Sequence, residues 1–513
     1  MSGQLTRGTE LQSDQELSCE VLIIGSGAGG AVLAAELCAA GRDVVMIEEG
    51  GWHTRRDFTL READAYPMLY QDGGARATAD LAISIMQGRS VGGSTTVNWT
   101  TCFRTPERIL DHWAKHHGLG ELSAAALAPH FEAMEARLSI AEWPEARANP
   151  NNRALLDGAR ALGWEAKALR RNVKGCADSG YCSMGCPVDG KQAMQVTCIQ
   201  DALRDGLRLY SDTRAERIVL ERSAVTAVEA RSMIPRTVHA GPRSLHIRPK
   251  VVALCGGAIN SPALLLRSGL DSGGLVGRRT FLHPVIAVVG EYDNEVAGYR
   301  GAPQSVGSHQ FIDRGADKVG FFLESAPLHP MIATVATPAF GQRLGEFLPK
   351  LPHLGGLLGL HVDGLVEGDE GGTVSLRPDG RVKIDYPIRP ALIEAMRASH
   401  EVLAQITLAA GAKAAYTNHK DPLILKSKAD LPLLDTRAYG AHQHSIFTAH
   451  QMGGCRMGTE AKRSVVRPDH RHHDIGNLFV VDGSVLPTSL GVNPSETIYG
   501  LAHRAADFVA AAV

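Results

Sequence analysis

The chain has 513 residues, 44% of them hydrophobic, which suits a folded protein of two to four units at ~150 residues each and excludes a disordered one. Its 53 basic and 55 acidic side chains leave a formal charge of −2, so it carries no electrostatic footprint for nucleic acid. No run reaches the ~18 apolar residues that span a bilayer, and nine cysteines are too few for a disulfide scaffold, so a reducing cytoplasm is the expected compartment.

The opening MSGQLTRGTELQSDQELSCE is polar, lacks the apolar core of a secretory signal, and reads as a disordered lead-in. Cys19 to Ile24 (CEVLII) then has the β-branched, apolar character of a buried parallel strand. Gly25-Ser-Gly27-Ala28-Gly29-Gly30 follows, and the alanines and leucines of AVLAAELCAAG predict a helix. Asp43 to Ile47 predicts a second strand, with Glu48 at its end. Here Gly25 makes the tight turn, Gly27 admits a pyrophosphate close to the backbone, and Gly30 packs helix on strand. Glu48 is placed to accept hydrogen bonds from a ribose diol. This is a dinucleotide site, and the fingerprint alone leaves NAD and FAD both open.

A second glycine cluster, Gly88-Arg-Ser-Val-Gly92-Gly93-Ser94-Thr-Thr-Val-Asn98, follows a segment, Ala79 to Met86, that reads as helical. A polar turn and a ligand-facing loop are equally open to it. Pro106 to Leu162 is Ala- and Glu-rich with helical spacing. Arg208 to Arg222 and Leu245 to Cys255 read as strands with a hairpin or loop between. Lys250 to Pro262 repeats the strand, glycine turn and helix pattern, returning the chain to the nucleotide sheet. Val285 to Ala441 mixes strands and helices without a nucleotide signal.

Two late elements stand out: Ala449-His450-Gln-Met-Gly-Gly-Cys-Arg-Met-Gly, and the run from Leu478 through Asp482-Gly483 to Asn493-Pro494, before a helix. Asp482 as a turn residue and Asn493 as a helix cap are the plain readings. In a chain with 21 histidines, His450 alone says little.

Taken together, GSGAGG with Glu48, GRSVGGSTTVN, GGAINSPALLLRSG, AHQMGGCRMG and FVVDGSVLPTSLGVNP resemble the glucose–methanol–choline (GMC) family of flavin oxidoreductases. GGSTTVNWTTCFRTP, CSMGCPVDGKQ, LESAPLHP and HQMGGCRMG are most similar to its long-chain fatty alcohol oxidases, with cholesterol oxidase-like members nearby. The resemblance implies an α/β fold: a discontinuous, Rossmann-like FAD-binding domain (15–110, 195–290, 445–513) and a substrate-binding or cap domain with a mainly antiparallel sheet and helices (111–194, 291–444). It implies FAD, with His450 as general base and Asn493 as its partner at the substrate oxygen. Gly25, Gly27, Ala28, Gly29, Gly30, Glu48, Gly88, Gly92, Gly93, Ser94, Asn98, Asp482, Gly483 and Asn493 are expected around the cofactor. An imidazole of ordinary pKa about 6.5 suits proton removal coupled to hydride loss.

The expected reaction is oxidation of an apolar, long-chain primary alcohol to its aldehyde, with O2 as acceptor. A quinone or protein acceptor, a sterol, cyclic alcohol or sugar substrate, and a non-redox lyase are the alternatives. Glu324 in LESAPLHP is a candidate second acid/base, or a paired surface carboxylate. Phe321 to Phe340 and Leu344 to Val366 are open to three roles: tunnel lining, peripheral membrane contact and ordinary core. Cys176, Cys182, Cys186 and Cys198 are irregularly spaced for iron–sulfur or zinc, so a structural or active-site loop without metal is expected. Nothing in the sequence sets an oligomeric state.

Overall fold

A computed structural model describes residues 3–336 and 340–513. Its first sheet grows from the Gln15–Ile24 strand, whose last four side chains are buried. Val44–Ile47 lies parallel on one side, pairing Val21 with Val44 and Ile24 with Ile47. The fifteen-residue strand Ala240–Leu254 lies parallel on the other, pairing Val21 with Val251 and Ile24 with Leu254. The far edge of that long strand is shared. Its first half closes an antiparallel meander with Ala224–Met233 and Thr213–Glu221, and its last three residues receive Leu478–Val480 in parallel.

Side chains alternate across this sheet. Val21, Ile23, Val44 and Met46 pack under the Ala28–Ala39 and Ser495–Ala510 helices, and Leu22, Ile24, Val45 and Ile47 face Trp113, Phe131, Leu264 and Phe281. Small residues let the first helix sit close: a Cβ on Gly30 would come 2.0 Å from the Gly25 carbonyl oxygen.

The opening segment is not a disordered lead-in. Gln4–Arg7 is an edge strand, parallel to Arg208–Ser211, which in turn pairs with Val44–Ile47. Backbone pairing at an edge needs no apolar side chains, so the polar composition concealed it.

Among the described residues a second, nine-stranded sheet is mainly antiparallel, running through Ala414–Thr417, Val285–Glu291, Leu354–His361, Phe321–Ala326 and Val306–Ser308. The Pro150–Ala161 and Pro390–Ala409 helices cover one face, where Leu155, Met396 and Leu403 meet Ile286, Leu323 and Leu357. The opposite face, with Val285, Phe322, Leu358 and Leu360, turns toward Trp99 and Phe447.

Several sequence boundaries shift. Ala79 to Met86 is not helical: Ile83–Ile85 is a strand, parallel to Ile446–Thr448, and its two isoleucines are buried on a period of two. These two strands and Val285–Glu291 belong to the second sheet, although they fall within the segments assigned to the nucleotide domain. Conversely, the Glu107–His117 helix, which straddles the assigned boundary at 110/111, and the Ala124–Arg137 helix, assigned to the substrate domain, pack on the nucleotide side. Trp113 Nε1 donates to Thr488 Oγ1 at 2.8 Å, and Phe131 abuts Gly500. Their apolar faces match that core rather than the antiparallel sheet.

No helix among the described residues is long and apolar enough to cross a membrane. Leu344 to Val366 includes the wholly buried strand Leu354–His361. In Phe321 to Phe340, Phe321–Ala326 is also a buried strand, Met331 is 46% and Phe340 86% exposed, and residues 337–339 lie outside the described residues.

Candidate active site

A cavity of about 1140 Å³ runs between the two sheets, and the glycine clusters, His450, Asn493 and Glu324 all line it. The chain's motifs converge there because no side chain keeps them apart. A Cβ on Gly29 would lie 1.8 Å from the Val481 carbonyl oxygen, and one on Gly93 2.8 Å from the Gly27 Cα. Of the residues expected around the cofactor, all line the cavity except Gly30 and Gly92, which shape it from behind. Gly92, at φ +95, donates its N–H to Ser26 Oγ at 3.0 Å and fastens the second loop to the first.

Glu48 is buried, which raises its carboxyl above the ordinary range despite hydrogen bonds that pull the other way. One oxygen accepts from Ser26 N–H and Oγ–H at 3.0 and 2.7 Å, the other from Gly50 N–H at 2.8 Å. It braces the turn it was expected to serve as a ribose acceptor. Asp482 accepts from Gly257 N–H, Ser261 Oγ–H and Ser484 N–H at 2.8, 2.5 and 2.8 Å. Arg267 Nε and Asn98 Oδ1, both on residues lining the cavity, are buried without partners. Unpaired donors and acceptors beside glycine edges fit a long, polar, anionic dinucleotide.

His450 follows the Ile446–Thr448 strand, and its N–H donates to Thr448 Oγ1 at 3.1 Å. Asn493 precedes the Ser495–Ala510 helix but does not cap it. Pro494 occupies the cap position, and the Asn493 amide instead lies 3.3 Å from His450 Nε2 and 3.5 Å from Glu324 Oε2. Glu324 is 1% exposed, so it is no surface carboxylate. Its Oε2 accepts from Gln304 Nε2 at 2.8 Å, while Thr101 Oγ1 donates to Gln304 Oε1 at 3.0 Å. Glu324 Oε1 and Asn493 Oδ1 have no partner. Burial pushes Glu324 up to about 8 and His450 down to about 4, so both are neutral at pH 7. The wall beside them is apolar: Val285, Leu358, Leu360, Phe447 and Trp99.

Gln304, Thr101, Lys191 and His283 also belong to this assembly; Thr101 and Lys191 fall inside GGSTTVNWTTCFRTP and CSMGCPVDGKQ, which assigned them no role, and Gln304 and His283 carried no sequence signal. Lys191 is buried below the second glycine loop, donating to the carbonyls of Thr96, Asn98 and Cys182 at 2.5, 3.1 and 2.7 Å. The cysteine group divides: Cys176, Cys182 and Cys186 border a small hollow beside Lys191, whereas Cys198 starts a helix in the core. Among the described residues, no three His, Cys, Asp or Glu side chains are grouped to hold a metal ion.

Residues 66–285 and 369–502 match family models described as GMC oxidoreductase, and residues 18–57 match an FAD binding domain. An uncharacterised GMC-type oxidoreductase of Mycobacterium tuberculosis is 30% identical over 99% of this chain and 78% of its own. A long-chain-alcohol oxidase of Arabidopsis thaliana is 28% identical over 97% of this chain and 69% of its own. Among solved structures, pyridoxine 4-oxidase from Mesorbium loti is similar in fold, with a TM-score of 0.70 at 21% identity, covering 96% of this chain and 99% of its own.

Proposed function

The chain belongs to the GMC oxidoreductase family and its cofactor is FAD, and on that footing we propose that it oxidises an apolar, long-chain primary alcohol to the aldehyde, with O2 as electron acceptor. The observation that carries this reading is the meeting of His450, Asn493 and Glu324 against a wall of Val285, Leu358, Leu360, Phe447 and Trp99. Polar groups converge on one point and the surface around them offers only apolar contact, as a hydroxyl at the end of a hydrocarbon requires. The similarity to long-chain-alcohol oxidases points the same way.

FAD, when bound, supplies the hydride acceptor. The chain's residues do the rest. An alcohol carbon gives up hydride readily only as its hydroxyl proton leaves, so the oxygen needs hydrogen-bond donors and the proton needs an acceptor. Asn493 is the amide donor to that oxygen, and His450 and Glu324 are the two titratable groups beside it. Gln304, held by Thr101, fixes Glu324 so that one carboxyl oxygen remains for the substrate. The apolar wall excludes water and strengthens each of these contacts.

Anaerobic mixing of the purified holoenzyme with dodecanol, a sterol, glucose and pyridoxine tests the reading, with flavin absorbance as the signal. Bleaching fastest with dodecanol is expected, followed by recovery on admitting air. Bleaching only by the sterol or sugar overturns the substrate, recovery only with a quinone overturns the acceptor, and a flavin that no alcohol bleaches overturns the oxidation itself.

A further inference from the structure

His283 lies outside every motif and does not line the cavity, yet its ring makes the one side-chain contact to the rear nitrogen of His450 among the described residues. It is fully buried, between the Arg278–Phe281 and Val285–Glu291 strands, at φ +44. Asp363 clamps this turn, accepting the Leu282 and His283 N–H groups at 2.8 and 3.1 Å and the Tyr386 hydroxyl at 2.6 Å. The ring cannot swing freely. Its Nε2 accepts the Gly491 N–H at 3.1 Å, and its Nδ1 faces His450 Nδ1 at 3.2 Å.

The proton count follows from the backbone. Gly491 N–H can only donate, so His283 Nε2 is bare, and a neutral imidazole then carries its single proton on Nδ1. Two facing Nδ1 atoms share one proton, so His450 Nδ1 must accept it. His450 therefore keeps its own proton on Nε2, the nitrogen beside Asn493 and the cavity. Both rings stay neutral because burial disfavours a second proton, and Arg108, His361 and His450 around His283 oppose it too. His450 Nε2 and the Asn493 amide nitrogen, 3.3 Å apart on the cavity lining, are then both donors, and the amide keeps its 3.5 Å contact to Glu324 Oε2.

We propose that His283 is a positioning residue that holds the His450 proton on Nε2, so that His450 donates a hydrogen bond to the alcohol oxygen and Glu324 Oε1 takes the alcohol's proton. The O–H bond breaks toward the Glu324 carboxylate, which becomes the neutral acid. The C–H pair would depart as hydride, two electrons for which bound FAD would be the acceptor, as the carbon–oxygen double bond forms. Glu324 is built to receive that proton, because Oε2 is occupied by Gln304 and Oε1 is buried in the site with no other partner.

The kinetic part rests on the alcohol-oxidation reading; the tautomer does not, and the experiment separates them. In holoenzyme carrying 15N-histidine, the His450 ring nitrogens, identified by their loss in His450→Gln, should show Nδ1 bare and Nε2 protonated. The opposite order overturns the proposal whether or not any alcohol is oxidised. His283→Leu should disturb that order and slow flavin reduction by dodecanol about 10-fold or more, and His283→Gln, which keeps an acceptor for Gly491 and a donor for His450, should restore both. An unchanged tautomer in His283→Leu overturns the positioning role. Flavin reduction should rise with pH through a limb near 8. The limb should persist, at lower rate, in His450→Gln and vanish in Glu324→Gln, with a loss of about 10²–10⁴-fold. A limb kept in Glu324→Gln and lost in His450→Gln returns the base to His450.

Discussion

Asp482 and Gly257 are joined by a 2.8 Å hydrogen bond from the Gly257 N–H to the carboxylate across 225 positions of sequence. The bond ties the end of the Leu478–Val480 strand to the first residue of the Gly257–Arg267 helix, and both segments border the cofactor cavity. Asp482→Ala strips three donors of their acceptor inside the protein, at a cost of roughly 2–5 kcal/mol. We expect a lower Tm and partial loss of FAD from the purified variant, with Asp482→Asn recovering part of both. Absorbance and thermal unfolding measure this; a variant with full flavin and unchanged Tm disproves the clamp.

At the reacting end, His450→Ala removes a donor to the alcohol oxygen and should slow flavin reduction by about 10²–10³-fold, as loss of one oxyanion-type donor does. Asn493→Ala should cost less, about 10-fold to 10²-fold on the same scale. Both should retain FAD, because the residues expected to hold the dinucleotide, Gly25 to Gly29 and Glu48, are other members of the cavity lining. Stopped-flow reduction at saturating alcohol, normalised to flavin content, is the measurement. Near wild-type rates would remove either residue from the mechanism.

Lys191 holds three carbonyls that no other described side chain serves: those of Thr96, Asn98 and Cys182. Lys191→Met keeps the volume and removes all three bonds, so the second glycine loop loses its anchor. The expected cost is roughly 2–5 kcal/mol, together with weaker FAD retention. Lys191→Arg should not rescue, since a planar fork cannot point at three convergent oxygens. Urea unfolding of holoenzyme checks the prediction, and equal midpoints for Met and wild type would refute it.

Acid should destabilise the fold through a histidine group that does not line the cavity. His400, His419 and His444 stack on one another and on Tyr439, and burial lowers His419 and His444 to about 4 and His400 well below its ordinary value. The unfolded chain binds these protons near pH 6.5, so from there down to about 4 it holds more protons than the native state. Stability is complete above pH 6.5 and falls as pH drops, by up to roughly 3 kcal/mol for each of His419 and His444. Urea midpoints at pH 7.5 and 5 should differ accordingly, and His444→Phe should narrow the gap. A midpoint that does not move between these pH values contradicts it.

What is legible in the sequence is what is local. Cys19 to Glu48 holds a strand, a turn, a helix and a second strand in 30 positions, and each glycine has a steric role visible at short range. Ala79 to Met86 reads as a helix because its leucine and alanines outweigh the period-two placing of Ile83 and Ile85. Glu324 reads equally as a surface carboxylate because only the tertiary fold buries it. His283 and His450 are 167 positions apart, and the bond that orients them starts from a third segment, at Gly491. No pattern in FLHPV announces that. Gln304 is silent for the same reason, and Lys191, though inside CSMGCPVDGKQ, gives no sign there of the carbonyls it holds.

The shared edge of Ala240–Leu254 also sets an order of assembly. Val252, Ala253 and Leu254 are exposed as an unpaired edge until Leu478–Val480 has been synthesised, and the Ala28–Ala39 helix stays uncovered until the Ser495–Ala510 helix arrives. During translation the nucleotide sheet therefore presents a short apolar edge of the kind that recruits other strands. Expression yield should therefore respond to flavin supply and chaperones more than to codon-level tuning of the opening segment.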